Sequence, residues 1–302
     1  MTPGDGRIDA RDWLLLGVLS VLWGGSFFFN GVALKGLPPL TLVLLRVALA
    51  ALMLLPLLRV YRIEFPRGVE GWKPYAAVAL FNNVLPFSLI VTGQTFVSSG
   101  LASILNATTP LFTVVVMALA SEERLFARRV AGVIAGLIGV IILRGGVVVE
   151  MTGQGIGILL CLAAALSYGV AALLARRLAG SPPLASATFQ LLSSSVMMSV
   201  VAGIVDRPWT LPMPVVTTWL AVAGLSALST ALAYLVFFQI LQRSGATNVM
   251  LVTLLIPVTA ILLGSLVLRE AISAREIAGA AVIGSALLII DGRMLKLFRR
   301  LA

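Results

Sequence analysis

Long apolar runs, separated by short stretches that hold charges, proline or glycine, recur along the whole chain. A membrane-spanning helix needs about 20 apolar residues. Runs of that kind predict helices near residues 12–34, 39–58, 72–93, 97–120, 127–145, 154–176, 183–205, 215–240, 246–268 and 274–295. The strands of an outer-membrane barrel would instead alternate apolar and polar residues over about 10 positions. The pattern therefore predicts an all-α polytopic membrane protein with ten transmembrane helices.

Composition narrows the class of protein further. Of the 302 residues, 60% are hydrophobic and 11% are charged, whereas a soluble domain has roughly 45–50% apolar and about 25% charged residues. So few charges cannot cover a water-facing surface, which excludes a soluble enzyme. The net charge of +10 would suggest nucleic acid in a soluble protein. In a membrane protein it is explained by basic cytoplasmic loops, so no nucleic-acid partner is expected.

The basic residues set the expected orientation. When the connections between predicted helices are counted alternately, sixteen of the 22 basic residues fall on one side. Five fall on the other side, namely Lys35, Arg144, Arg207, Arg269 and Arg275. Because cytoplasmic loops carry the excess of Lys and Arg, both termini are predicted to be cytoplasmic, with tails at residues 1–11 and 296–302.

The two halves of the chain match each other. Residues 110–145 align with 257–292 at an offset of 147, which pairs Pro110 with Pro257 and Glu123 with Glu270. Earlier residues align at offsets of 144 and 145, including Trp23-Gly24 with Tyr168-Gly169 and Pro38-Pro39 with Pro182-Pro183. Leucine- and alanine-rich helices can align by chance, but the shared Pro-Glu-Gly spacing argues against that. We expect one five-helix repeat at 12–146 and a second at 147–295. Since five is odd, the second must be inverted, an architecture typical of secondary transporters.

Several of these residues resemble a known family. They are Leu22-Trp23-Gly24-Gly25-Ser26, Arg46, Pro110…Glu123…Gly132…Gly139…Gly145 and the second series Pro257…Glu270…Gly279…Gly292. Along nearly its whole length the chain resembles the EamA type of the drug/metabolite transporter superfamily, and it is most similar to amino-acid exporters of the YddG kind. The resemblance implies ten helices in two inverted repeats and export or exchange of small metabolites across a bacterial-type plasma (inner) membrane. Amino acids, including aromatic ones, are the expected substrates, and a monomer without cofactor is expected.

The reactive residue types limit the chemistry. The chain has no histidine and one cysteine, Cys161, so Ser-His and Cys-His nucleophile systems, a Cys/His zinc site and an intrachain disulfide are excluded. All twelve acidic residues fall in tails, loops or helix ends. No carboxylate is placed to exchange a proton within the membrane, which favours facilitated transport or exchange. A multidrug or lipid exporter, a channel and an intramembrane enzyme remain as alternatives.

Arg46 is the one charge that falls well inside a predicted helix. Three interpretations remain open. It could be a structural cation bonded to carbonyls or a helix end, it could contact a substrate carboxylate, or its long side chain could snorkel to the interface.

Prolines mark a second group of candidates. Pro110 and Pro257 each leave the carbonyl four residues earlier, at Asn106 and Thr253, without its helical donor. Irregular backbone at that depth is tolerated only against protein or a water-filled cavity. This predicts a cavity wall, and alternatively a mere kink. Pro86, Pro110 and Pro257 are hinge candidates.

The remaining candidates are polar or aromatic residues near the middle of predicted helices. They could line a substrate cavity or only hydrogen-bond and pack between helices. Asn82 and Asn83 are expected to point to different faces of one helix, so that at least one faces the cavity. The matched aromatics Trp23 and Tyr168 could stack on a planar substrate. The predicted cavity residues are Trp23, Ser26, Asn82, Asn83, Asn106, Thr109, Tyr168, Tyr234 and Thr253.

Overall fold

The computed structural model describes residues 10–120, 127–144, 153–178, 180–244 and 252–291. Within these ranges all regular structure is helical. The helices are α1 (Ala10–Ala33), α2 (Pro39–Val60), α3 (Gly68–Gly93), α4 (Ser99–Asn106 and Thr109–Leu119), α5 (Ala127–Arg144), α6 (Gly153–Ala175), α7 (Pro183–Val205), α8 (Val216–Ser226, Ala227–Leu232 and Ala233–Ser244), α9 (Val252–Val267) and α10 (Ala274–Asp291). Most residues of the two tails, together with Glu123, Gly145 and Gly292 of the repeat, lie outside the described residues.

The helices fall where the apolar runs predicted them, to within about four residues at most ends and six at the start of α9. Seven of them (α1, α2, α3, α4, α6, α7 and α8) are long and apolar enough to cross a membrane. Two shorter apolar stretches, Val130–Leu143 in α5 and Val252–Val267, accompany them. The all-α, multi-pass class is confirmed, while the count of ten membrane crossings and the side of the termini stay predictions.

The second helices of the two halves, α2 and α7, begin and end with the same sequence features. Both α2 and α7 begin with a proline, Pro39 and Pro183, directly after a second proline with ψ near that of extended backbone. Proline suits this position because the first N–H groups of a helix have no partner within the helix. Beyond the ends of the two helices, Arg62 and Arg207 both adopt left-handed backbone, with φ of 53° and 50°. These residues lie 145 apart, which is an offset of the sequence repeat.

The third helix of each half contains one wide π-helical turn. In α3 the turn covers Leu80–Val84, and in α8 it covers Ala227–Leu232. In α3 it comes just before Pro86, whose missing N–H could not have bonded the carbonyl of Asn82 in a regular α-helix. A π turn shifts the bonding to residues five apart and is frequent at functional sites. Both long helices are therefore irregular at equivalent places.

The two halves exchange packing partners. Helix α1 of the first half packs on α9 of the second, and α6 of the second half packs on α4 of the first. At the first contact a Cβ on Gly24 would lie 2.6 Å from Cβ of Thr259. At the second, a Cβ on Gly169 would lie 3.2 Å from the backbone of Phe112. Gly24 and Gly169 are matched, as are Phe112 and Thr259, so equivalent glycines permit equivalent close approaches between helices.

Two further contacts join equivalent helices directly. Helix α2 packs along α7, and α5 packs along α10. In the α5–α10 contact, a Cβ on Gly139 would lie 3.1 Å from the carbonyl oxygen of Gly279, and one on Gly279 would lie 2.8 Å from that of Gly139. The backbones of these helices approach so closely because both positions lack a side chain. The α2–α7 contact positions the central polar residues described next.

Helix α4 is interrupted in its middle. It ends at Asn106 and restarts at Thr109, with Pro110 in the first turn of the new segment. The Thr109 hydroxyl donates to the carbonyl of Asn106 at 2.7 Å, which satisfies the acceptor that the proline leaves free. The irregularity predicted at Pro110 is thus a break. Pro257, in contrast, lies inside the continuous helix α9. Whether either proline acts as a hinge stays a prediction.

Candidate functional site at the α2–α7 contact

Arg46 joins α2 to the π turn of α8. Its Nε donates to Oγ1 of Thr230 at 3.0 Å, and its Cζ lies 3.7 Å from the centre of the Phe87 ring on α3. Thr230 in turn donates to the carbonyl of Leu225 at 2.8 Å, five residues earlier, as the wide turn allows. Arg46 is only 5% exposed, so its side chain packs among the helices. We call Arg46, Thr230 and Phe87 the charged junction.

The terminal nitrogens of Arg46 are not engaged in the same way. No described residue accepts a hydrogen bond from them or provides a carboxylate within ion-pair distance. In the described part of the chain, the fully buried side-chain atoms without a partner are Oδ1 of Asn30, Oδ1 of Asn106 and Oγ of Ser229. Since the terminal nitrogens are not among these atoms and have no acceptor, they border accessible space. Four cationic N–H donors thus have no acceptor among the described residues.

The equivalent position on α7 is Gln190, which matches Arg46 at the offset of 144. It contacts the π turn of α3, where Oε1 of Gln190 accepts from Nδ2 of Asn82 at 3.3 Å. Fully buried Asn83 donates to Oγ of Ser194 at 3.0 Å and accepts from Oη of Tyr234 at 2.9 Å. We call Gln190, Asn82, Asn83, Ser194 and Tyr234 the amide junction.

The two junctions adjoin each other. Tyr234 bonds to the amide junction and also lies close enough to Arg46 for electrostatic interaction, as does Tyr168 on α6. The Ser167 hydroxyl donates to the carbonyl of Phe81 in the α3 turn at 2.8 Å, which attaches α6 to the same region. Helices of both halves therefore surround one group of polar side chains, the central cluster, made of both junctions and Tyr168.

One geometric expectation for this cluster is wrong. Asn82 and Asn83 do not point to separate faces, because Nδ2 of Asn82 donates to Oδ1 of Asn83 at 3.2 Å and to Oη of Tyr234 at 3.3 Å. The π turn places more residues in one turn than an α-helix does, so neighbouring side chains are closer in angle. Three oxygens, on Asn83, Gln190 and Tyr234, surround Nδ2 of Asn82. The Oδ1 of Asn82 accepts from no described group.

The other predicted cavity residues lie apart from this hydrogen-bonded cluster. Trp23 packs against Phe237 of α8, with ring centres 5.5 Å apart. Ser26 is buried on α1, Thr109 bonds the broken backbone of α4, and Thr253 is half-buried in the first turn of α9. Asn106 keeps a buried Oδ1 without a partner in the described part of the chain. The role of these residues as cavity lining stays a prediction.

Four members of the cluster escaped the sequence-based choice of site residues: Thr230, Phe87, Ser194 and Gln190. The first three are ordinary residues in apolar runs, and their neighbours across the bundle cannot be read from local sequence. Gln190 could have been found, because the repeat offset of 144 places it opposite Arg46. The sequence signal was that polar residues, Arg46 and Gln190, occupy equivalent positions of the two repeats.

A separate polar network joins the ends of α1 and α3 to the start of α4. Gln94, at the end of α3, donates to the carbonyl of Phe27 at 2.9 Å and accepts from Asn30 at 2.8 Å. Glu270 accepts from the backbone N–H of Ser99 at 3.0 Å, which caps the start of α4. A carboxylate there also suits the positive end of the helix dipole. Gln239, the match of Gln94 at the other end of the bundle, is exposed.

In the part of the chain that the structure describes, no group of three or more His, Cys, Asp or Glu residues could hold a metal ion. Cys161 is buried on α6, against Gly93 of α3. The chemistry that the central cluster offers is therefore hydrogen bonding, one positive charge and aromatic faces.

Comparison with known proteins places both halves in one family. The family model described as the EamA-like transporter family matches twice, at residues 12–145 and 155–290. The two matches together cover most of the chain and agree with the repeat inferred from its sequence.

Named relatives are similar along almost their whole length. The uncharacterized transporter YoaV of Bacillus subtilis (strain 168) is 27% identical over 275 residues, which is 89% of this chain and 94% of the relative. A probable amino-acid metabolite efflux pump of Salmonella typhimurium is 27% identical over 306 residues, 93% of this chain and 95% of the relative. The inner membrane transporter YedA of Escherichia coli (strain K12) is 24% identical, over 90% of this chain and 88% of the relative.

The fold is also similar to that of a solved structure. A crystal structure superposes with a TM-score of 0.65 and covers 93% of this chain and 97% of its own chain, at 20% sequence identity. That likeness supports the arrangement of the helices.

Proposed function

Because the chain belongs to the EamA-like transporter family, we propose that it is a secondary transporter that exports or exchanges small metabolites, above all amino acids, aromatic ones included. The observation that carries this proposal is the central cluster, where helices of both repeats bring a cation, amides and tyrosines together. Secondary transporters bind substrate between their repeats near the membrane midplane. The relative named as an amino-acid metabolite efflux pump supports the choice of substrate.

The proposed mechanism is alternating access around the central cluster. The two repeats are inverted relative to each other and rock so that the cluster opens to one side of the membrane at a time. Two observations support this. The network of Gln94 and Glu270 joins the start of α4 to α1, to α3 and to the connection after α9 by hydrogen bonds. The π turns in α3 and α8 and the break at Pro110 are places where helices can bend.

The energy source is the gradient of the substrate itself or of an exchange partner. Every acidic residue lies in a tail, a loop or a helix end, and Asp12, at the start of α1, is ion-paired with Arg243 at 3.0 Å. A proton-coupled carrier usually uses an ionisable side chain inside the membrane. Among the described residues of the central cluster, Arg46 is the one charged side chain, and no carboxylate or histidine is present to carry a proton.

Reconstitution into liposomes tests the function. The purified chain should raise the flux of radiolabelled amino acids, and the flux should not depend on an imposed pH difference. The absence of flux for every amino acid of the panel would contradict the proposed substrate, and chemically altered products would indicate an enzyme. Flux that requires the pH difference and is lost in Glu270→Gln would contradict the facilitative mechanism.

We also propose that the protein is a monomer, that it lies in a bacterial-type plasma membrane and that both termini are cytoplasmic. Sixteen basic residues on one side of the predicted topology support the orientation. A green fluorescent protein fused to the C-terminus should fluoresce, whereas alkaline phosphatase at the same place should be inactive. The reverse pattern would contradict the proposed orientation. Light scattering of the purified protein gives its mass in solution, and the mass of a dimer would contradict the proposed monomer.

A further inference from the structure

We propose that the terminal nitrogens of Arg46 bind a carboxylate group of the substrate, and that the site requires this carboxylate but not an ammonium group. The inference rests on the proposed transport function and names the substrate class, which is organic monocarboxylates including amino acids. It starts from a buried cation whose terminal donors have no partner in the described part of the chain.

The orientation of the guanidinium is fixed from the other side. Thr230 accepts from Nε, and the ring of Phe87 lies against the guanidinium carbon. These contacts hold the planar group while leaving its outer edge available. That edge presents two parallel N–H donors, a geometry that matches the two oxygens of a carboxylate. A neutral carboxamide offers one acceptor oxygen and no negative charge, so it cannot replace the carboxylate.

The surroundings explain the preference for one negative charge. No described carboxylate pairs with Arg46, so the site carries an uncompensated positive charge until an anion enters. Burying a lone charge is costly, and a bound carboxylate relieves that cost. A phosphate ester, usually a dianion, favours several Lys or Arg partners, and this site offers one.

An ammonium group finds weaker partners in the same place. Within the central cluster, the acceptor without a described donor is Oδ1 of Asn82, a neutral amide oxygen, and the nearby tyrosines, Tyr168 and Tyr234, are also neutral groups. A neutral acceptor contributes less than an ion pair. Loss of the ammonium group should therefore weaken binding much less than loss of the carboxylate charge.

Four related compounds test the proposal on the full-length protein in detergent. L-Phenylalanine and 3-phenylpropanoate carry the carboxylate, whereas L-phenylalaninamide and 3-phenylpropanamide do not. The Kd of each is measured by calorimetry, and thermal stabilisation by each compound serves as a second reading. The two acids should bind with Kd values within about threefold of each other, and each amide at least about tenfold more weakly than its acid.

Variants of α2 connect the preference to one side chain. Arg46→Gln should remove the difference between acid and amide, and Arg46→Lys should keep it at reduced affinity because the charge remains. Arg59→Gln is the matched control, since it removes an exposed cation from the same helix. If Arg46→Gln fails to fold, the four compounds on the unaltered protein still decide the question.

The outcomes separate this inference from the transport proposal. Amides that bind as tightly as acids, an Arg46→Gln variant that keeps the preference, or binding by none of the carboxylates would overturn the role of Arg46. The same compounds are then followed into liposomes. Preferential binding without flux would overturn the transport function alone, whereas equal flux of acids and amides would overturn the inference alone.

Discussion

The charged junction and the amide junction occupy equivalent places in the two repeats but differ in chemistry. In each, a polar side chain of the second helix of one repeat contacts the π turn in the third helix of the other. The amide junction is a network of several hydrogen bonds that includes fully buried Asn83, and Oδ1 of Asn82 is its acceptor without a described donor. The charged junction uses one of the five donors of Arg46 and leaves the terminal four without a described acceptor. The packing around Arg46 therefore uses its Nε and its contact with the Phe87 ring, and it does not use the terminal donors.

We expect the amide junction to contribute more to the free energy of unfolding than the charged junction, because more of its polar groups are hydrogen-bonded. Buried hydrogen bonds in membrane proteins contribute about 0.6–2 kcal/mol each. A buried cation without a counterion is costly instead. The proposed role of Arg46 in binding a substrate carboxylate accounts for this cost, because buried charges within a membrane are generally retained for function.

The largest expected effect comes from making the amide junction cationic. Gln190→Arg would place a second buried cation near Arg46 and remove the acceptor for Asn82. We expect a loss of several kcal/mol, seen as little monodisperse protein in size-exclusion chromatography. Gln190→Met is the matched control, because it removes the same acceptor without adding charge. Equal yields and melting temperatures of the two variants would contradict the comparison.

Opening the network of the amide junction should have the next largest effect. Asn83→Ala removes the acceptor for Tyr234 and the donor to Ser194 in a fully buried position. The expected loss is about 1–3 kcal/mol, measured as a melting temperature lower by several degrees. Asn82→Ala, at a half-buried position, should cost less. A smaller loss for Asn83→Ala than for Asn82→Ala would contradict the stabilising role of the buried Asn83 hydrogen bonds.

Loosening the support of Arg46 should act mainly on transport. Thr230→Val removes the hydroxyl that accepts from Nε at 3.0 Å. With about 1 kcal/mol at stake, we expect a few-fold rise in KM for flux of a carboxylate substrate into liposomes. Thr230→Ser keeps the hydroxyl and should behave like the unaltered protein. An unchanged KM in Thr230→Val would show that this hydrogen bond does not position Arg46.

We expect the smallest effect on stability from a substitution of Arg46, and this substitution distinguishes a functional cation from a structural one. Arg46→Gln makes the charged junction resemble its counterpart and removes a buried cation that has no described counterion. The free energy of unfolding should change by less than about 1 kcal/mol, because the lost hydrogen bond is offset by relief of desolvation. A melting temperature as low as that of Asn83→Ala would mean that Arg46 is a structural cation.

Particular residues show where sequence reasoning was sufficient. The apolar runs located the helices, because about 20 apolar residues must form a helix when no water can satisfy the backbone. The repeat offsets paired Gly24 with Gly169, and the structure gives both the same kind of close contact. Local geometry was less predictable. Asn82 and Asn83 share one network only because α3 widens into a π turn. The nearby Pro86 predicts an irregularity in the helix, but it does not predict that the irregularity is a π turn.

The sequence by itself determined the membrane class, the repeat, the positions of the helices and the isolation of Arg46 from any acidic residue. These follow from composition and spacing, which depend on neighbours along the chain. Only the tertiary structure decided that Arg46 meets Thr230, 184 residues away, and that Gln190 meets Asn82, 108 residues away. Which side chains meet in the central cluster depends on which helices of one repeat pack against which helices of the other. In a bundle where every helix is apolar, the pattern of hydrophobic residues does not distinguish one helix neighbour from another.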